Sequence, residues 1–166
     1  MSGNLRNRRL ALCCGLLAVA AACGEDALSP EEADLATLRQ AAESFTDFGA
    51  IHQDYDVLVI HPVNGRTCLR DSTLGAMGAH FLNTALVVDT VLAATPEVTI
   101  YEMQEDSSFE FVAVEYIIPF TIRGEDEEPP VLFGREFVQN HTFNLWALHA
   151  WVGRDNPRGI FEPWNP

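Results

Sequence analysis

Lysine is missing from this sequence, and its absence leaves the positive charge to a small number of arginines. The 166 residues contain 10 arginines against 24 aspartates and glutamates, which gives a formal net charge of −14 at pH 7. A surface with this excess of negative charge repels nucleic acids, anionic lipid headgroups and polyphosphates. We therefore expect no nucleic-acid partner and no polyphosphate-binding role.

The N-terminus lacks an apolar run that is long enough to span a membrane. Its apolar stretch covers 13 residues, Leu10 to Ala22, behind a basic start that contains Arg6, Arg8 and Arg9. A transmembrane helix needs about 20 apolar residues, whereas a shorter run behind a basic start is typical of a secretory signal peptide. The N-terminus therefore predicts export from the cytoplasm.

A cysteine at the end of this run indicates how the exported protein is processed. The small residues before Cys23, in "VAAAC", resemble the lipobox of bacterial lipoprotein signal peptides. The resemblance implies that residues 1–22 are removed and that Cys23 becomes the lipid-modified first residue. The protein would then be extracytoplasmic and anchored by this lipid to a bacterial membrane, facing the periplasm or at the outer membrane. The alternative is ordinary cleavage in the alanine-rich stretch, which leaves a soluble secreted protein.

Few cysteines remain after this processing. Cys13 and Cys14 lie in the signal peptide, so Cys68 is the only thiol left besides Cys23. No intramolecular disulfide can then form, and the core must stabilise the fold by itself.

The exported part is long enough for one domain. Removal of residues 1–22 takes three of the ten arginines and none of the 24 acids, so the net charge becomes −17. We expect residues 23–29 to form a tether and residues 30–166 to form a single domain with a hydrophobic core.

The domain begins with a helix whose start is marked in the sequence. In "SPEEADLATLRQAAESF", Ser29 is the N-cap, Pro30 takes the first helical position and Glu32 completes a capping box. Apolar residues then recur at the spacing of one helix face: Leu35, Leu38, Ala42 and Phe45. This stripe predicts a helix that packs against the core.

The rest of the domain changes to the pattern of strands. The segments "YDVLVIHP", "GAHFLNTALVV", "VTIYEMQ", "FEFVAVEYIIPFTI" and "FNLWALHAWV" are rich in aromatic and β-branched residues. No helical segments alternate with them. We therefore predict an α+β fold, in which the N-terminal helix packs on a curved, mainly antiparallel β-sheet of about five to six strands.

Several short motifs link the chain to a known group of proteins. "GAMGAHFLN", "PEVTIYE", "VAVEYIIP", "LFGREF" and "LHAWVGRDNPRGIFEPWNP" occur in this order. The chain resembles, over roughly residues 45 to 166, a family of uncharacterised secreted bacterial proteins with the pattern GAMGxH…VEY…LHxWV…NPxGxFxxWNP. The resemblance implies a common fold and a shared site, and it implies nothing about a reaction.

Three polar residues stand in segments that are otherwise apolar. Glu115 lies within "FVAVEYIIP", His80 within "GAMGAHFLN" and His149 within "FNLWALHAWVG". Because strand side chains alternate, Phe111 should share the face of Glu115 and Val112 should lie on the other face. Both faces are apolar, so Glu115 should be buried in either orientation. An unpaired buried carboxylate costs several kcal/mol, so Glu115 must meet a cation, a hydrogen-bond donor or a metal, or stay protonated.

Small residues accompany each of the three polar residues. Gly78, Ala113 and Ala147 stand two positions before His80, Glu115 and His149, and therefore on the same strand faces. Small neighbours leave room beside a polar group. The coincidence predicts a cavity in the sheet.

The three residues form a set of metal ligands. Two imidazoles and one carboxylate bind zinc, and with open positions they bind iron, manganese or copper. Glu102 is a candidate fourth ligand, or an acceptor that orients a histidine ring. We therefore predict a divalent transition metal at His80, Glu115 and His149, with Glu102 as the additional candidate, in an extracytoplasmic lipoprotein of unknown reaction.

Two other interpretations use the same residues. In a purely structural network, Glu115 pairs with His149 or with an arginine such as Arg135, and a backbone group satisfies His80. In a non-catalytic binding module, the cavity takes a small molecule or a partner.

The "NP"-rich segment after His149 is predicted to be an ordered arm over the sheet, with a lid as the alternative. Whether the protein is an enzyme does not follow from these patterns.

Overall fold

The N-terminal helix is the first element that the structure defines. The structure, a computed structural model, describes residues 28–166, so the predicted signal peptide and Cys23 lie outside the described residues. The capping box is present, because Ser29 Oγ accepts from the Glu32 amide and the Glu32 carboxylate accepts from the Ser29 amide. The helix buries Leu38, Ala42 and Phe45, three of the four residues of the predicted apolar stripe.

Within residues 28–166, nine strands follow the two α-helices. In chain order the elements are α1 (Pro30–Phe45), α2 (Phe48–Ile51), β1 (Val57–Leu58), β2 (Cys68–Asp71), β3 (Gly75–Leu82), a 3₁₀ turn (Thr84–Leu86), β4 (Val98–Met103), β5 (Phe109–Pro119), β6 (Val131–Leu132), β7 (Arg135–Glu136), β8 (Val138–Asn140) and β9 (Leu145–Ala150). The main sheet has the order β1-β3-β4-β5-β9-β8, with β2 also paired to β3, and all of its pairs are antiparallel. The predicted α+β fold is confirmed. No helix between residues 28 and 166 is long and apolar enough to cross a membrane.

The sheet has a different apolar cluster on each face. The larger cluster includes Leu38 and Phe45 of α1 together with Tyr101, Phe111 and Tyr116 of the central strands. The smaller cluster contains Val98, Ile100, Val112, Ala113, Ile117 and Trp151. The second cluster lies on the face of the sheet that carries His80, Glu115 and His149, because their cross-strand partners Ile100 and Val98 belong to it.

A β-bulge changes the predicted alternation in β5. Ala113 pairs with Ile100, and Phe111 pairs with the next residue of β4, Tyr101, so Val112 is an extra residue. The bulge turns Phe111 toward the helix side and leaves Val112 on the side of Glu115. The prediction that Phe111 shares the face of Glu115 was therefore wrong, whereas the burial of Glu115 is confirmed.

The curvature of the sheet brings its two ends together over the smaller cluster. The ring of His61, in the β1–β2 connection, contacts the ring of Phe143, in the β8–β9 turn, at a centroid distance of 5.6 Å. The segment after β9 also packs on the sheet, as predicted, because Asn165 forms two backbone hydrogen bonds with Ala76. These connections enclose the face that carries the three polar residues.

Candidate metal centre

Three strands of the main sheet, β3, β5 and β9, position the three predicted residues on one face. Glu115 of β5 lies directly opposite His149 of β9, and His80 belongs to β3, two strands from β5. His80, Glu115 and His149 are only 5%, 8% and 5% exposed. The predicted convergence of these residues is therefore present in the structure, in the protein interior.

The distances within the trio suit ligands around a common ion. Glu115 Oε2 lies 3.7 Å from His80 Nε2, and Glu115 Oε1 lies 3.5 Å from His149 Nδ1. Hydrogen bonds between nitrogen and oxygen are shorter, at about 2.7–3.2 Å. Two ligands that bind one tetrahedral zinc ion at about 2.0–2.2 Å lie roughly 3.3–3.5 Å apart. One ligand atom from each residue lies within 4.8 Å of the others, so the trio could hold a metal ion, and its contacts with Glu115 are longer than those of a closed hydrogen-bond network.

A backbone carbonyl fixes the tautomer of His80. Its Nδ1 lies 3.2 Å from the carbonyl oxygen of Gly78. Because a carbonyl can only accept, Nδ1 carries the hydrogen and donates it. In the neutral ring, the lone pair is then on Nε2, which is the atom next to Glu115. A donated Nδ1–H is the usual support of a histidine that binds a metal through Nε2.

His149 has a buried ring nitrogen without a partner. Among the residues that the structure describes, no hydrogen-bond partner reaches His149 Nε2. A buried polar atom that is left unpaired costs about 1–3 kcal/mol. The other nitrogen, Nδ1, is at 3.5 Å from Glu115, which is too long for a strong hydrogen bond. Neither ring nitrogen is satisfied by the protein alone.

Burial makes all three residues neutral near pH 7. It lowers the pKa of His80 to about 4, and burial together with the neighbouring His80 lowers the pKa of His149 to about 3. Burial, with the nearby Glu97 carboxylate as a smaller cause, raises the pKa of Glu115 to about 8. The imidazoles therefore keep the lone pairs that a metal requires, and only Glu115 must lose a proton when a cation binds.

A small cavity and a larger groove adjoin the trio. A cavity of about 50 Å³ is lined by His80 and Glu115, and this volume exceeds that of a single water molecule. A groove of about 520 Å³ reaches Glu115 and His149 from the surface. The predicted cavity is present, and a ligand can reach the trio through the groove.

The small residues beside the trio have different roles. Ala147 lines the groove, whereas Ala113 is fully buried in the smaller apolar cluster. Gly78 follows the unpaired Met77 in a bulge of β3 and has a φ of +107°. The sequence suggested that all three small residues leave room beside the trio, but only Ala147 does so. Gly78 is small because the positive φ of its backbone favours glycine.

Glu102, the additional ligand candidate, lies in another cluster. It stands directly opposite Glu110 on β5, and Arg154 forms ion pairs with both carboxylates. Two like charges at facing positions would repel, and the guanidinium between them removes this repulsion. The arginine lowers the pKa of Glu102. The structure therefore places Glu102 in a surface ion pair and leaves the other three candidates together.

Glu97 is a buried carboxyl that the sequence analysis did not single out. It is 1% exposed, and its Oε2 accepts a hydrogen bond of 3.1 Å from the Ile117 amide. Burial raises the pKa of Glu97 to about 7. Glu97 follows a proline at the beginning of β4, where an acidic residue is typical of an exposed turn, so the local sequence did not indicate its burial.

Arg135, the alternative partner for Glu115, lies elsewhere. Its guanidinium lies over the ring of Phe161 at 5.6 Å. Of the structural network that the sequence allowed, the contact of His80 with a backbone carbonyl is present, and Glu115 lies beside His149 at 3.5 Å.

Comparisons with protein-family models, with curated proteins and with solved structures found no match for the chain. The resemblance to secreted bacterial proteins therefore stays a prediction. The geometry of the site is therefore the evidence for its function.

Proposed function

We propose that this protein binds a divalent transition metal through His80, Glu115 and His149. The observation that carries the proposal is the convergence of two buried imidazoles and one buried carboxylate, which form no hydrogen bond of ordinary length with one another. A bound cation supplies a partner for the Glu115 carboxylate, for His80 Nε2 and for one ring nitrogen of His149. The cation also offsets the free-energy cost of burying these groups.

The donor set favours zinc among the possible ions. Two imidazoles and one carboxylate form the protein part of many catalytic zinc sites, in which a water molecule takes the fourth position. Iron, manganese and copper also accept these ligands. Such a metal, when bound with an open position, polarises a carbonyl group or activates a water molecule. The chain would hold the metal, orient His80 through Gly78 and give access through the groove.

A non-catalytic binding module is the second candidate function. The groove favours it, because about 520 Å³ is within the size range of small-molecule sites. Both candidates use the same cavity, and the binding module does not require a metal at the three residues. We further propose that the protein is an extracytoplasmic lipoprotein, on the basis of the sequence up to Cys23.

Zinc binding near pH 7 should release between about one and two protons per ion, one of them from Glu115 and the remainder from a zinc-bound water. Glu115 must lose its proton, because its pKa is raised to about 8, whereas the histidines are already neutral. For the same reason, zinc affinity should fall by up to about tenfold per pH unit as the pH is lowered below 8. Calorimetric titration in two buffers with different ionisation enthalpies measures the released protons.

Elemental analysis provides the accompanying control. Protein purified without chelator and without a histidine tag should contain close to one equivalent of a transition metal. A stoichiometry near zero, together with no heat on zinc addition to the chelator-treated protein, would reject the metal centre. A release of clearly more than two protons would contradict the neutral state of the histidines, because a zinc-bound water can supply the second proton.

Replacement of Cys23 tests the proposed anchor. The wild-type protein should partition with membranes and enter the detergent phase, and Cys23→Ser should lose both properties because no lipid can be attached. Cys68→Ser is the matched control, and it should stay with the membrane. Wild-type protein that is wholly in the soluble extracytoplasmic fraction would contradict the anchor and support ordinary secretion.

A further inference from the structure

The groove above the metal centre has walls from distant parts of the chain. On one side lie the β1–β2 connection and β2, and on the other lie β8 and the β8–β9 turn. Glu115 and His149 contribute to its inner surface. A molecule in this groove would therefore contact both its walls and the proposed metal.

The charge of the groove is opposite to that of the whole protein. The sequence has 24 acidic residues against 10 basic ones. Among the described residues that line the groove, Glu115 is the sole carboxylate, whereas two arginines, Arg66 and Arg70, belong to its wall. Two guanidinium groups against one carboxylate leave the lining positive. A positive groove in a strongly acidic protein concentrates anions at that one place.

The two arginines are free to bind a ligand. Both side chains are exposed, and neither forms an ion pair within residues 28–166. By contrast, Arg123 pairs with Asp89, and Arg154 pairs with two glutamates. The arginines of the groove thus keep their hydrogen-bond donors available for carboxylate or phosphate oxygens.

The backbone holds these arginines in place. The carbonyl of Arg66 accepts a hydrogen bond of 2.8 Å from the His61 amide, and the amide of Arg66 donates to the Asn64 side chain at 3.0 Å. Arg70 belongs to β2 and is paired with Ala76 of β3. Defined backbone positions reduce the ordering that a bound anion would impose on the groove.

Apolar side chains cover part of the remaining surface of the groove. The lining includes Leu69, Met77, Phe143 and Trp164. Inorganic ions make no use of such a surface, whereas the hydrocarbon body of an organic anion is stabilised by it. The groove therefore combines an anion-binding part, an apolar part and an access to the proposed metal.

We infer that the groove binds a small organic anion, with its carboxylate or phosphate group at Arg66 and Arg70 and its apolar body toward the metal centre. The inference rests on the proposed metal-binding function and adds the ligand class to it. It applies equally to a substrate and to a ligand that is bound without reaction.

Titration of the zinc-loaded protein with benzoate, phenyl phosphate and the neutral benzamide tests this inference. At least one of the two anions should bind, and the preferred one identifies the anionic group. Benzamide should bind at least about tenfold more weakly, because charge-assisted hydrogen bonds to the arginines are lost.

The double variant Arg66→Gln/Arg70→Gln should weaken binding of the preferred anion by about tenfold or more. The variant should keep the zinc affinity and the melting temperature of the wild type, because both side chains are exposed.

Arg39→Gln is the matched control, because Arg39 is also exposed but lies on α1, away from the groove. It removes the same charge and should leave anion binding unchanged. Equal loss in Arg39→Gln and in the groove variant would show a general charge effect and overturn the inference. Binding of neither anion, or equal affinity of the wild type and the groove variant, would also overturn it. A failure of the metal centre is seen separately, as absence of zinc binding to the wild type.

Discussion

Zinc at a hundred times its dissociation constant should raise the melting temperature of the wild-type protein by about 8 °C, and Glu115→Gln should remove at least about half of this gain. Such a ligand concentration stabilises the folded state by about 2.7 kcal/mol, at about 2–4 °C per kcal/mol for a domain of this size. Glutamine keeps the shape of the side chain and supplies no anion. Since changes of residues around a metal typically cost about 10–100-fold in affinity, the loss of a direct ligand should cost at least as much. At the same zinc concentration, the variant would then gain at most about 1.4 kcal/mol, and only about 0.4 kcal/mol if the affinity falls a hundredfold.

The same variant without metal separates the metal centre from a structural network. In the presence of chelator, Glu115→Gln should melt at the wild-type temperature or higher, because Glu115 is buried without a short hydrogen bond or a charged partner in the trio. A network would predict the reverse, namely a loss of a few kcal/mol that does not depend on metal. A wild-type melting temperature that is indifferent to chelator and to added zinc, copper, manganese and iron would end the metal hypothesis.

Glu102→Gln is the control for this experiment. It changes the same group on the neighbouring strand β4, in the ion pair with Arg154. A partly exposed pair of this kind contributes at most about 1 kcal/mol. Glu102→Gln should therefore keep the full zinc-dependent gain. If it lost this gain, Glu102 would be a ligand after all, and the side chain would have to leave Arg154 when the metal binds.

Replacement of Gly78 by alanine should destabilise the protein by roughly 3 kcal/mol and weaken its zinc binding. A Cβ atom at this position would lie 2.8 Å from the carbonyl oxygen of Tyr101 and 2.8 Å from a methyl group of Ile100. The backbone φ of +107° adds strain for any residue with a side chain. Because the Gly78 carbonyl orients His80, the shift that relieves the clash also displaces a ligand. Denaturant melts and zinc titrations measure the two effects.

Gly65→Ala separates backbone strain from the clash. Gly65 also has a positive φ, of +70°, but an added Cβ would meet no atom within 4 Å. This variant should lose only about 1 kcal/mol and should keep the zinc affinity of the wild type. Equal losses in both variants would show that the close approach of β3 to β4 at Gly78 does not contribute.

The fold and the centre of the site could be predicted because the deciding signals are local. The capping box at Ser29 and the aromatic and β-branched segments indicate a helix followed by strands, whatever their order in the sheet. A carboxylate with apolar neighbours on both sides, such as Glu115, is buried in either orientation of its strand. Two histidines in similar segments then enter the same interior, since a domain of this size has few buried faces.

The remaining features depend on contacts between distant residues. The bulge at Val112 follows from how β4 and β5 pair, and no letter of the sequence marks it. The position of Glu102 depends on Arg154, which is more than fifty residues away in the chain. The burial of Glu97 depends on the amide of Ile117 in another strand. The alternation of side chains along a strand does not indicate such partners. It therefore predicted Glu102 as part of the site and did not indicate the burial of Glu97.

The central place of β5 in the sheet also determines which part of the site can move. β5 is hydrogen-bonded to β4 and to β9 and is covered by apolar side chains on both faces. Strands of this kind exchange their amide hydrogens last, because they open only when the whole domain unfolds. Glu115 is held in this slowest part of the molecule, whereas the groove that leads to it is formed largely by connections and short strands. We therefore expect ions and ligands to enter and leave by motions of the groove walls, on a time scale far shorter than that of unfolding.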